Sequence, residues 1–424
     1  MSSTARWWDT EEFAAHESLT TVVRHIHQRS TWRQQADELH AELYAGGPAA
    51  SGLSMSARMH YDYAPQSLPY NVCRQSVDTL TAKIAKHRPL PQALTTRGDW
   101  KKQKRAKKLS QFIEGEFYRS RIFEKWAPRI VRDAATFGRG LLKVFANGKR
   151  IECERAYPWE VLVDDWDARH GDPRNLYHVR TVDKGVLLAK FGQRRKGESK
   201  DDWQLRVNAI DRAGSTVTMG EFDRDDGQDS TVERVRIVEA WHLPSEDDMD
   251  EPDGRHVIAI FGGNLTLIDE PWERAYFPFC VLHYSDPVVG YWGQGLVEQA
   301  EGFQYEINDM SQKVSEGHWM LGGGMIFVPV GSDIVDTSLT NGNVPIIKHQ
   351  PGKPPQFVTP NPVNPACYQR LRDLPNDCLN TLGISQMAAQ GAKAAAEAGM
   401  SGVALQTLDD VESERFVVFG RAYE

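Results

Sequence analysis

Leu296, Ala300, Phe303, Ile307, Met310 and Val314 recur at alternating spacings of four and three, the period of one apolar face of an α-helix. Between them stand Glu298, Glu301, Glu306, Asp309, Gln312, Lys313 and Glu316, so the remaining faces are hydrated and mostly negative. The pattern predicts a helix over 294–320, roughly 40 Å long at 1.5 Å per residue. Gly322, Gly323 and Gly324 stop it, because glycine is unfavourable in a helix interior. Two β-prone runs follow, Met325 to Val330 and Val344 to Lys348, separated by the turn signal Asn341-Gly342-Asn343. This insert, Met325 to Pro360, reads as a small hairpin subdomain. Asn364-Pro365 then supplies an N-cap and a first-turn proline. Cys367, Leu371, Leu374, Cys378 and Leu382 form a second helical stripe ended by Gly383, with a kink expected at Pro375. The stretch from Ile384 to Gly399 is dominated by Ala, Gly and Gln, after which Ser401 opens a further helix with Ala404, Leu408, Val411, Val418 and Phe419 on one face.

Upstream, the pattern predicts an α+β body. Glu11 to Leu43 is helical but polar enough to be peripheral. Val72 to Lys86 is a second helix, with Val72, Ser76, Thr79 and Lys83 on one face and Val77, Leu80 and Ile84 on a more apolar one. A longer helix is expected over Leu109 to Thr136, kinked or restarted at Pro128. Leu141 to Phe145, the turn Asn147-Gly148 and Arg150 to Glu154 read as a hairpin. Val161 to Val163, Tyr177 to Val182, Val232 to His242, His256 to Phe261 and Phe279 to Tyr284 continue as strands, with a turn at Gly262-Gly263-Asn264. Gln193 to Asp202 and Asp223 to Ser230, poor in hydrophobes, are expected to be exposed loops.

Three features combine: Gly293-Gln294-Gly295 opening a long helix that contains Gln304 and Asn308, the β insert, and Gly383-Ile384-Ser385 leading to Ser401-Gly402-Val403-Ala404. Together they resemble the portal proteins of tailed bacteriophages over roughly residues 60–424. The resemblance implies an α+β wing region over 1–290, a first stem helix over 291–322, a clip over 323–361, a second stem helix over 362–383, a tunnel loop over 384–401 and the start of a wing or crown helix over 402–424. It implies a structural, non-enzymatic subunit of a homo-oligomeric ring, dodecameric in that family, at one capsid vertex. Double-stranded DNA would pass through without sequence preference, during packaging in the bacterial host cytoplasm and later ejection from the virion. Terminase, adaptor or tail proteins, capsid and scaffolding proteins are the implied partners, and no cofactor is expected. Glu301, Asp309, Gln386, Gln390, Lys393 and Glu397 would face the channel, where Lys393, the one cation between Gln386 and Met400, would form a positive collar. Phe303, Ile307, Met310, Val314, Leu371 and Leu374 would pack the stem. Portals normally continue into crown helices, whereas this chain stops inside a helix at Tyr423-Glu424. Either the crown is reduced or the sequence is a fragment.

Composition agrees with that picture. With 424 residues and 40% hydrophobic content, two or three domains with real cores are expected. No run of 18 or more apolar residues exists to span a membrane, and Met1 to Asp9 lacks the apolar core of a signal peptide. Cys73, Cys153, Cys280, Cys367 and Cys378 are dispersed without a CxxC pair, which suggests reduced, mostly buried thiols. The net charge of −8 disfavours a protein that grips phosphates. An acidic channel that lets DNA slide is physically sensible, although a solvated helix face would carry the same carboxylates.

The remaining motifs are weak. Lys101 to Lys108, KKQKRAKK, holds six basic residues in eight and could contact DNA or an acidic partner, or form a solvated helix face. The GYWGQG of Gly290 to Gly295 lacks the spacing of a phosphate loop and reads as a tight strand-to-stem turn. Asp164, Asp165 and Asp167 could hold a divalent cation, but no Gly-centred loop follows and a hydrated turn is the simpler reading. His25 and His27 point to different faces of a helix, poor spacing for a metal. No catalytic signature is present. Two rival functions stay open: an enzyme of head processing or DNA metabolism, which needs a catalytic cluster, and a nucleic-acid-binding scaffold, which the basic run favours and the overall charge opposes.

Overall fold

Period-two burial on both faces of one strand organises the body. In the strand Arg234–His242, Val235, Ile237 and Trp241 point to one side, while Val238 and Ala240 point to the other, and nearly the whole strand is buried. A strand with two apolar faces needs cover on both. The computed structural model describes residues 6–47, 70–95, 98–148, 150–194, 199–213, 233–245, 253–263, 265–322, 326–330, 346–349, 364–384 and 416–423. They form a mixed architecture of helices with two antiparallel sheets.

After a 3₁₀ turn at Trp7–Asp9, α1 spans His16–Ala45 and ends on Gly46 in the left-handed region. Its polar sequence predicted a peripheral helix, and the structure corrects this. Leu19, Val23 and Ile26 pack on the five-stranded sheet, and Ser30, Gln34, Asp37, His40 and Leu43 continue the buried stripe. The polar members are tolerated because the fold supplies partners: Gln34 Nε2 meets His27 Nδ1 at 2.9 Å and Asp37 accepts from Arg139.

Helix α2 (Val72–Ala85) is capped by Asn71, whose Oδ1 accepts from the Arg74 N–H at 2.8 Å. Both of its expected faces contribute to the core, with Val72, Cys73, Ser76, Val77, Leu80, Thr81 and Ile84 buried. The helical stretch expected over 109–136, kinked or restarted at Pro128, is two helices, α3 (Trp100–Arg119) and α4 (Ala127–Phe137), the second restarting at Pro128 after a π turn at Ile122–Trp126. The break falls at Arg121, held at φ +52°. Pro128 sits in the first turn of α4, where its missing N–H leaves no hydrogen bond unmade.

Strands β1 (Arg139–Asn147) and β2 (Arg150–Ala156) form the expected hairpin, with Asn147 opposite Arg150. Next come β3 (Val161–Leu162), β4 (Asn175–Asp183), the unforeseen helices α5 (Lys184–Phe191) and α6 (Lys200–Arg212), β5 (Arg234–His242), β6 (Arg255–Ile260), the unforeseen β7 (Thr266–Pro271) and β8 (Phe279–His283). One antiparallel sheet has the order β3-β4-β5-β6-β7 and the other β2-β1-β8. The polar stretch 193–202 was expected to be loop, yet Lys200 onward belongs to α6, capped by Ser199. Residues 223–230 lie outside the described residues.

The first stem-like helix is α7 (Leu296–Gly322) and the second is α8 (Pro365–Leu382), continuous through Pro375. Between them, β9 (Ile326–Pro329) and β10 (Ile346–His349) pair in parallel, Ile326 opposite Ile346. The expected hairpin is therefore corrected. Parallel neighbours need a crossover of a dozen or more residues, which the interval 330–345 provides, and the Asn341-Gly342-Asn343 signal lies outside the described residues. The last element, α9 (Val417–Tyr423), buries Phe419 but leaves Val418, expected on the same face, exposed.

Helices α2, α4, α7 and α8 share the largest core with Leu282 of β8 and Phe419 of α9. One face of the five-stranded sheet is covered by α1, and the other by α5 and α6 towards one end and by the three-stranded sheet towards the other. No helix among the described residues is long and apolar enough to cross a membrane.

The corner between α4 and β1 constrains this assembly most tightly. Gly138 has φ +80°, and a Cβ there would lie 2.3 Å from the Gly293 carbonyl oxygen. Gly290 also has positive φ, +90°, but faces open space. Gly138→Ala is expected to cost about 2–5 kcal/mol from strain plus clash, whereas Gly290→Ala costs about 1–2 kcal/mol from strain alone. Urea unfolding of the two variants checks this ordering, and equal losses would show that the corner can relax.

Candidate stem, assembly and channel surface

The glycines that precede α7 fix where it leaves the body. A Cβ on Gly293 would sit 2.1 Å from the Ser285 carbonyl oxygen, and one on Gly295 would sit 2.8 Å from the Gly138 nitrogen. The GYWGQG segment is thus a backbone-to-backbone crossing against the α4–β1 corner, within the connection 284–295 between β8 and α7, which is longer than the expected tight turn.

From this anchor α7 enters the helical core. Leu296, Val297, Ala300, Gln304 and Ile307 are fully buried and Val314 is nearly so. Phe303 and Met310 are partly buried against the same core. Gln304 is a structural tie, because its Oε1 accepts from the Val72 N–H at 2.9 Å and its Nε2 donates to the Tyr70 carbonyl and to Asn308 Oδ1, each at 2.9 Å. One side chain thus satisfies an orphan donor at the start of α2 and joins two helices that are far apart in sequence.

Helix α8 returns antiparallel. Asn364 Oδ1 accepts from the Ala366 N–H at 3.0 Å, and Gly383 closes the helix at φ +72°. Leu374, Cys378, Leu379 and Leu382 are buried, with Leu371 partly buried. Tyr368 meets His318 at 3.1 Å and Arg370 makes a bidentate pair with Glu306 at 3.0 and 3.1 Å. Of the six residues expected to pack the stem, Phe303, Ile307, Met310, Leu371 and Leu374 lie in or against one hydrophobic core of a single chain, and Val314, 9% exposed, lies outside that cluster.

The residues expected to face a channel divide. Asp309 is exposed and pairs with Lys313 at 2.6 Å along the helix. Glu301 is partly buried and turns towards α1, where its Oε2 lies 3.7 Å from His40 Nε2. Burial first, and then the Glu298 charge, raises its carboxyl pKa. Gln386, Gln390, Lys393 and Glu397 lie outside the described residues.

Beside the root of α7 lies a cavity of about 410 Å³, lined among others by Trp32, Arg33, Asp37, His40, Arg139 and Trp292. Arg139 and Asp37 are almost completely buried and meet at 2.5 Å, and Arg139 also donates to the Phe137 carbonyl at 3.0 Å. Its guanidinium lies over the Trp292 ring, 4.6 Å from the centroid. Arg33 bonds Asp165 at 3.1 Å and lies over both Trp32 and Trp292. Burial, and secondarily the Arg139 charge, holds His40 down at about 4, so its approach to Glu301 joins a neutral imidazole to a carboxylate at neutral pH. Of these residues, Asp165, Glu301 and Trp292, the last within GYWGQG, stood out in the sequence, and the others did not.

The other candidate motifs resolve structurally. Asp165 is taken by Arg33, Asp164 accepts from the Trp166 N–H at 3.2 Å, and Asp167 accepts from the Arg174 and Asn175 N–H groups at 2.9 and 2.8 Å. His27 is engaged by Gln34. Among the described residues no group of three or more His, Cys, Asp or Glu is placed to hold a metal ion.

Two outcomes follow from this geometry. Ile307→Asp would bury an unpaired carboxylate within the subunit and cost about 3–5 kcal/mol, so a lowered unfolding midpoint of the isolated subunit is expected before any effect on assembly; unchanged stability would place Ile307 elsewhere. His40 has a folded pKa below its unfolded value of 6.5, so the unfolded chain binds the extra proton and stability falls as pH drops through that window. Between about pH 7 and pH 5 this loss is about 2 kcal/mol. His40→Gln should flatten the urea midpoint over that interval, and an unaltered slope would exonerate His40.

Comparison with protein-family models and with curated proteins finds no match.

Proposed function

We propose that this chain is a portal subunit, which assembles into a ring at one capsid vertex and forms the channel through which viral DNA is packaged and ejected. The observation that carries the reading is the helix pair rooted in the body. Helix α7 starts in the core at Leu296 and α8 ends in it at Leu382, while the interval between them holds the paired strands β9 and β10. A pair anchored at one end and joined through a small sheet at the other carries that sheet away from the body, as a stem carries a clip. The exposed carboxylates along α7 and α8, among them Asp309 and Asp377, suit a surface past which DNA slides without being gripped.

In this reading the packaging ATPase is a separate terminase that docks on the clip, and adaptor or tail proteins follow it there. Capsid and scaffolding proteins are its further partners. Lys393 supplies the single positive collar of the tunnel loop.

Negative-stain microscopy and mass photometry of the purified chain test the proposal directly. Rings with a central hole, of uniform subunit number, are the expected result. Monomers at every concentration up to about ten times the working range, where mass action favours association, would overturn it. Nuclease or ATPase activity in those monomers would favour the enzymatic rival.

A further inference from the structure

Helix α3 is amphipathic, yet none of its residues is buried. Its apolar side chains Leu109, Phe112, Ile113 and Phe117 recur at helical spacing, and Phe112 is 57% exposed. A helix normally buries such a stripe. Here Phe112, Ile113 and Phe117 form one wall of a groove of about 480 Å³, within the ordinary range of ligand pockets. The opposite wall is one face of the three-stranded sheet, with Leu142 and Val144 from β1, Ile151 and Cys153 from β2, and Cys280 and Leu282 from β8. Helix α3 is tied down at its flanks, where the Ala93 N–H donates to Ser110 Oγ at 2.9 Å and Arg119 donates to the Ile151 carbonyl at 2.8 Å. The sheet face beneath it is left with an open apolar trough.

The charge on the same helix specifies what fits there. Lys108, Arg105 and Lys101 precede Phe112 by four, seven and eleven residues, which places them on the face that Phe112 occupies. With Lys102, Lys104 and Lys107 they make six exposed cations in a chain of net charge −8. No ion pair reaches any of the six among the described residues, and Lys104 lies over the Trp100 ring. The groove face therefore runs from apolar to strongly positive along a single helix.

We propose that this groove binds an amphipathic helical segment of a partner protein, whose apolar side chains enter the trough and whose carboxylates lie along Lys101, Arg105 and Lys108. A helix laid in a groove is read through apolar anchors at i, i+3, i+4 and i+7, the spacing that α3 itself presents. Duplex DNA would use the cations and leave the trough empty. An anionic bilayer could take the outward-facing Trp100 and Leu109, 70% and 49% exposed, but would leave the trough between Ile113, Phe117 and the sheet empty. The inference is independent of the ring and channel reading.

The test uses the full chain and a fluorescein-labelled synthetic helix of about 20 residues, long enough to form in isolation, with Leu at i, i+3, i+4 and i+7 and Glu on its other faces. A counterpart with Lys in place of Glu, a short DNA duplex and anionic phospholipid vesicles serve as competitors. Saturable binding of the acidic helix is expected, weakened at least about tenfold both by the charge reversal Lys101→Glu, Arg105→Glu, Lys108→Glu and by Phe112→Ser. These positions are exposed, so circular dichroism should be unchanged, and a Gln version of the triple substitution should give an intermediate loss if the reversed charges perturb the fold. The proposal is overturned if the acidic helix does not bind, if the Lys helix binds as well, if Phe112→Ser has no effect, or if DNA or vesicles displace the acidic helix completely at equal charge.

Discussion

The structure turns on the corner at Gly138 and Arg139. Gly138 lets two backbone segments touch where any side chain would collide with Gly293, and Arg139, one residue later, pairs with Asp37 of α1 inside the protein. That buried pair has little freedom to shift, because an arginine left there without its carboxylate costs about 3–5 kcal/mol. The corner consequently sets three directions: that of β1, which Arg139 begins; that of α1, through Asp37; and that of α7, through the crossing at Gly293 and Gly295. The stacking of Arg139 on Trp292 closes the same junction from the side of the segment that leads into α7.

A second polar layer holds the two sheets in register. Lys143 of β1 bonds Glu239 of β5, and His256 Nε2 lies 3.2 Å from the other Glu239 oxygen while its Nδ1 meets Glu270 at 2.7 Å. Burial pushes the Glu239 carboxyl up, but the His256 hydrogen bond and the Lys143 charge outweigh it and hold the group well below the usual carboxylate range. Burial in turn lowers Lys143. Such a layer is a poor source of net stability, since desolvation offsets most of the Coulombic gain. Its contribution is orientation, because a lysine and a carboxylate facing each other across two sheets accept few alternative registers, whereas the surrounding Leu141, Leu176 and Trp241 would accept several.

Periodicity made α7 and α8 legible, along with the β1–β2 hairpin, because there apolar spacing, caps and turn residues all agree. It misjudged α1 for a physical reason. Leu19, Val23 and Ile26 start a stripe that Ser30, Gln34, Asp37 and His40 continue, and a polar residue at a stripe position counts as surface until its buried partner is known. For Asp37 that partner is Arg139, over a hundred residues away in sequence, and for His40 it is Glu301. The uninterrupted 3–4 spacing across these polar positions was the available signal. Helix α5 and strand β7 were missed because each is short, and β10 was placed in a hairpin because spacing reports that two runs pair but not their direction. The glycines of GYWGQG read as a tight turn, whereas they permit a close crossing, and the backbone they approach lies far from the motif in sequence.

The burial of the α7 and α8 stripes within one chain bears on how copies could associate. Ile307, Val314 and Leu374 are already enclosed, so they have no apolar surface left for a neighbour. What the helix pair presents outward is mostly polar, with Glu306, Asp309, Lys313, Arg370 and Asp377 linked by pairs at 2.6 to 3.2 Å and Tyr305 exposed beside them. Exposed pairs of this kind contribute little to stability and weaken with salt. A ring built along the helix pair, as proposed, would therefore draw its specificity from charge registry repeated around the circle, and its area from the rest of the body. Assembly of that kind would be sensitive to ionic strength and tolerant of single substitutions at the exposed positions of α7 and α8, the reverse of what an apolar stem seam would show.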